Sequence, residues 1–169
     1  MDFIALMLAE LDGEAARSRR TLEQVPEGKA DWKPHDRSMP FGYLANMVAT
    51  IPMWLTMIVR QDQFDVAPKD GGGQEWPSPS TAAEYVAALD KAADEARKVL
   101  RNTTEAHLQT RWQLLAGGVV VADTTRHEML RDTINHWVHH RGQMTVYLRL
   151  MGAKVPALYG PSADDTAFA

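Results

Sequence analysis

The chain has 169 residues, 45% of them hydrophobic and 24% charged, with a formal net charge of -4. That length supports one domain with a proper core, and the composition is that of an ordinary globular protein. The acidic balance argues against a nucleic-acid partner, because phosphate binding needs a basic face, and the lack of cysteine excludes disulfides, thiolate zinc sites and cysteine nucleophiles.

The opening MDFIALMLAELDGEAARSRR lacks a basic leader and is interrupted by Glu10, Asp12 and Glu14, so it does not read as a signal peptide. No uncharged run reaches membrane-spanning length. Together these predict a cytoplasmic protein with no membrane partner. Ile4, Leu8, Leu11, Ala15 and Leu22 recur every three or four residues and predict a first amphipathic helix, ending before Pro26 and Gly28. RSRR at 17–20, the only basic cluster, fits a solvated face of it.

A loop, PEGKADWKPHDRS, follows. Ser38 is placed to cap a second helix, with Pro40 in its first turn, where a missing N–H is harmless. Phe41, Leu44, Ala45, Val48, Ile51, Trp54, Leu55 and Ile58 make this helix apolar over much of its surface, and Pro52 predicts a kink. DVAPKDGGGQEWPSPS reads as a long flexible crossover. Its DGGG precedes no strand–helix unit and no GK[ST], which argues against a phosphate loop.

Thr81 and Glu84 have capping-box spacing and predict a third helix through residue 101, with Tyr85, Leu89, Ala92, Ala96 and Leu100 in its buried stripe. WQLLAGGVVVA places β-branched residues after a Gly-Gly turn and predicts a short hairpin. The last helix is expected from Thr125 to Met151, and the Pro- and Gly-punctuated tail over the outside of the fold. Four long helices and little else predict an all-α four-helix bundle. It has a long crossover loop and a short β-hairpin before the last helix, as a single domain over residues 1–169.

NHWVHHRGQ, residues 135–143, carries the chemistry. His136 and His140 are four apart, so on a helix their imidazoles share one face, near the core side marked by Trp137 and Met144. Neutral imidazoles suit zinc, nickel or iron(II), and bundle interiors are common places for such sites. The HxxxH spacing alone is weak evidence, since hydrogen-bonded core or interface histidines produce it more often. His127 lies nine residues before His136 on the same predicted helix and is a candidate for the mouth of the same cavity. Arg141 and Gln143 are positioned to orient a ligand if they face inward. Gly142 costs a helix about 1 kcal/mol relative to alanine, which suggests close approach of another backbone.

NHWVHHRGQMTVYLRLMGAKVPALYGPSADD and VPEGKADWKPHDRSMPFGYLANMVATIPMW resemble the C-terminal and second-helix segments of the DinB-like (DinB/YfiT) family. The resemblance implies a four-helix bundle, commonly a homodimer and linked to stress responses. It also implies a divalent metal held by three histidines, and thiol-transferase or hydrolase chemistry on a thiol or other small molecule. Position by position, His136 and His140 match the helical pair, while Met47 stands where the third histidine is usual. A thioether is a soft, weak ligand for zinc or nickel, so metal binding is expected to be weak or absent. Asn46, about 100° away around the helix, is a poor substitute. Asp123, His127 and Arg141 are the candidates for contacts behind the metal or with substrate. The competing expectation is a non-catalytic descendant that binds a small ligand or acts as a dimeric scaffold.

Overall fold

The computed structural model describes residues 2–69, 71–72 and 75–167. Helix α1 (Phe3–Leu22) starts at Asp2, whose carboxylate accepts from Ala5 N at 3.1 Å. Two more of its free N–H groups, on Phe3 and Ile4, donate to the Glu105 side chain. Helix α2 (Phe41–Thr50) is capped differently from the sequence expectation. Pro40 holds the N-cap position with no side-chain bond, and Ser38 lies outside the helix. The preceding loop supplies the acceptors instead: Phe41 N donates to Trp32 O at 2.9 Å and Gly42 N to Ala30 O at 2.8 Å.

Pro52 ends α2 and opens α3 (Pro52–Arg60), and the two helices meet at 47°. No single helix is long and apolar enough to cross a membrane, and this bent pair contributes Leu44, Val48, Leu55 and Ile58 to the core. Proline has no N–H, so the carbonyl of Val48, four residues before it, loses its helical donor. Trp137 fills that place. Its buried indole N–H donates to Val48 O at 2.7 Å.

Strand β1 (Gln63–Asp65), which the sequence reading did not anticipate, leads into the crossover and shares Asp65 with it. Helix α4 (Ala82–Arg101) opens with the Thr81–Glu84 capping box, and a short α5 (Glu105–Leu108) follows. Strands β2 (Arg111–Ala116) and β3 (Val119–Thr125) form the expected hairpin. Gly117 and Gly118 at its turn have φ of 62° and 79°, which a two-residue turn of this hand requires at both positions. β1 pairs in parallel with β2. Asp65 then clasps the turn, accepting from Gly117 N at 3.0 Å and Gly118 N at 2.7 Å.

Helix α6 (Arg126–Leu150) begins with a second capping box, Thr125 and Glu128. The fold is therefore helix-rich, not all-α: among the described residues six helices accompany a small three-stranded mixed sheet. The all-α expectation failed because β1 is only three residues long and carries no alternating pattern. α1, the α2–α3 pair, α4 and α6 pack on one another around Leu11, Leu44, Leu89 and Trp137. Asp70, Gly73 and Gln74 of the crossover, and with them part of the DGGG segment, lie outside the described residues.

Candidate functional site

Two devices place the histidines. The Trp137 bond to Val48 fixes the rotation of α6 against the kink, and His136 is its immediate neighbour in sequence. One helical turn later His140 is buried, 6% exposed. The two Nε2 atoms come together at 2.7 Å, and His140 Nδ1 lies 2.8 Å from Gln143 Oε1. The amide oxygen can only accept. His140 thus donates from Nδ1 and accepts at Nε2, and His136 donates through its own Nε2–H. His136 is exposed as a residue, but partial desolvation of its ring pushes the imidazole below the usual histidine range, with the neighbouring His140 and His139 adding to it. Burial lowers His140 as well, against the opposing bond from Gln143. Both rings are accordingly neutral at pH 7.

His136 opens onto a cavity of about 380 Å³, within the usual range for small-molecule pockets. The kink shapes it, through Thr50, Ile51 and Trp54, and α2 adds Tyr43, Asn46 and Met47. Phe64 and Asp65 of β1 and Trp76 of the crossover close the other side. Met47 and His136, joined in the sequence reading, therefore do line one cavity. Asn46 lines it too, and its buried Oδ1 has no hydrogen-bond partner.

The other expected contributors lie elsewhere. His127 packs its ring on Phe3, with centroids 3.7 Å apart, beside Glu128, Arg131 and Asp132 rather than at the cavity. Nine residues at about 100° each turn it to the opposite side of α6 from His136 and more than 13 Å away along the axis, at about 1.5 Å per residue, so the expected place at the mouth of the cavity fails. Asp123 sits on β3, ion-paired with Arg111. Arg141 is 1% exposed and faces α1 and the tail. It pairs with the buried Glu14 carboxylate and donates to Ser18 Oγ at 3.3 Å and Tyr159 Oη at 2.6 Å. It holds the fold together and does not contact the pocket. Gly142 meets no other backbone: a Cβ there would find nothing within 4 Å. His107 lies away from the cavity, with its Nε2 2.8 Å from Val59 O.

Sequence reasoning missed the aromatic wall of Trp54, Phe64 and Trp76. One signal was available. Trp76 is a large apolar side chain in a Pro- and Ser-rich stretch with no periodicity to bury it.

Comparison with known proteins agrees with this architecture. The family model described as "DinB family" matches residues 2–167. The chain belongs to the DinB family. Among solved structures, a DinB-like protein from Bacillus cereus superposes with a TM-score of 0.70 at 22% identity, over 90% of this chain and 95% of that one. A DinB-like protein from Bacillus subtilis, YjoA, gives a TM-score of 0.65 at 16% identity, over 89% and 94%. Uncharacterized protein YrdA of Bacillus subtilis is 30% identical over 95 residues, 56% of this chain and 54% of that protein. The chain thus spans about half the length of that curated relative.

These side chains fit the three-histidine metal site implied by the sequence resemblance poorly. Two nitrogens bound to one tetrahedral zinc at about 2.0–2.1 Å stand about 3.3 Å apart. The His136–His140 separation of 2.7 Å is that of a direct hydrogen bond. No third histidine, cysteine or carboxylate joins them among the described residues. Met47 offers a thioether, a weak partner for zinc or nickel.

Proposed function

We propose that this DinB-family chain binds a small molecule in the pocket between α2, α3, β1 and α6, and that its histidine pair holds a divalent metal weakly or not at all. The observation that carries the reading is the donor set: two imidazoles occupied with each other, and methionine where a third imidazole would be needed. Metal-dependent transfer or hydrolysis of the family type would need that third ligand to keep the ion in place while a coordination position stays open. With it gone, the His136–His140–Gln143 chain is a neutral hydrogen-bonding arm at the edge of an apolar cavity.

Calorimetric titration with zinc separates the two possibilities. The unmodified chain is expected to bind zinc weakly, and Met47→His to tighten it by more than the about 10–100-fold that outer partners of metal ligands contribute. Tight one-to-one binding by the unmodified chain, unaffected by Met47→His, would overturn the reading.

A further inference from the structure

The aromatic wall indicates what the pocket takes; this inference rests on the reading of the cavity as a small-molecule site. Trp54 and Trp76 lie nearly parallel, at 15° and 6.1 Å between centroids. Phe64 stands edge-on to both, at 5.2 Å from Trp54 and 6.5 Å from Trp76. All three rings are half-buried and line the cavity. An aromatic face carries the negative end of its quadrupole and attracts a cation placed within about 6 Å of its centre.

The charge around the cavity has the same sign. Among the described residues lining it, Asp65 is the one that carries a formal charge, and neither lysine nor arginine is present. The N–H groups of Ala67, Gly117 and Gly118 fix that carboxylate in place without neutralising it. Lys69 is the nearby cation, but it lies against Gly117, outside the lining. A carboxylate or phosphate entering this pocket would find no positive partner and one repelling charge.

We propose that the pocket selects an organic cation: a protonated, alkylated amine seated on the Trp54–Phe64–Trp76 wall, with Asp65 as its counter-charge. The ligand is monovalent and apolar around the nitrogen, since the wall rewards contact area as well as charge.

The test is titration of the intact chain with N,N-dimethylethanolamine, its uncharged carbon isostere 3-methylbutan-1-ol, and the anion 3-methylbutanoate, followed through assigned indole N–H signals of Trp54 and Trp76. The amine is expected to bind about tenfold tighter than the alcohol and the anion not to bind. Trp76→Leu, in the crossover and clear of the core, should remove most of that preference. Asp65→Asn should weaken the amine and leave the alcohol unchanged. Equal or tighter binding of the alcohol or the anion would overturn the proposal, as would absence of amine binding or a preference surviving Trp76→Leu. Failure here is distinguishable from failure of the metal reading, because zinc affinity is measured separately.

Discussion

Arg141 and Trp137 flank the histidines, and each spends its polarity on the fold. Arg141 is 1% exposed and Glu14 4%, and their ion pair also engages Ser18 and the Tyr159 hydroxyl. Removing one member of a buried pair strands the other, at a cost of about 3–5 kcal/mol. Arg141→Ala is therefore expected to lower chemical-denaturation stability by that amount, and the double change Glu14→Leu with Arg141→Met to lose much less. Trp137→Phe keeps most of the ring volume but leaves Val48 O without a donor. It is expected to cost about 1–3 kcal/mol and to disturb the indole signal of Trp54 across the kink. The sequence displayed Trp137 as one more core aromatic; its link to Val48 required knowing that Pro52 orphans that carbonyl. Glu14 was similarly opaque, because a glutamate on a helix is ordinarily solvated and its partner is 127 positions away.

Helix ends and turns were the most legible elements, since their signals are local. Thr81–Glu84 and the Gly117–Gly118 turn act within a few residues and were read correctly. Ser38 misled for the opposite reason: α2 is capped by the carbonyls of Ala30 and Trp32, a contact set by how the loop folds back. Gly42 of α2 and Gly142 of α6 behave oppositely. A Cβ on Gly42 would meet Ala30 Cβ at 3.0 Å and its backbone at 3.2 Å, so Gly42→Ala should destabilise the chain. Gly142 faces open space, and Gly142→Ala should raise stability by about 0.4–1 kcal/mol in thermal unfolding. The Thr125–Glu128 cap makes a prediction about acid. Hydrogen bonds from Thr124, then Thr125, hold the Glu128 carboxyl at about 2, against an ordinary 4.5. The folded value lies below the unfolded one, so the cap's contribution is present above pH about 4.5 and is lost as pH falls toward about 2. Glu128→Gln should flatten that acid limb in melting curves taken between pH 7 and pH 3.

At the scale of the whole molecule, helix order, the late hairpin and the family likeness could all be read from the chain. The small sheet and the pocket could not, because both are made where the crossover returns to the bundle. β1 and Trp76 belong to the segment with the weakest periodicity, yet Phe64, Asp65, Val66 and Trp76 close one side of the cavity. The tail also does more than lie on the outside. Ala157 is fully buried, and Asp164 accepts from Val155 N and from Arg149. The fold thus builds a preformed aromatic pocket with Asp65 and His136 in its lining, and His136 is hydrogen-bonded to His140 behind it. The most direct measurement is the metal-to-chain ratio, by mass spectrometry, of protein purified without a metal-affinity column and dialysed before analysis. A ratio far below one is predicted; one tightly held divalent ion per chain would contradict the account.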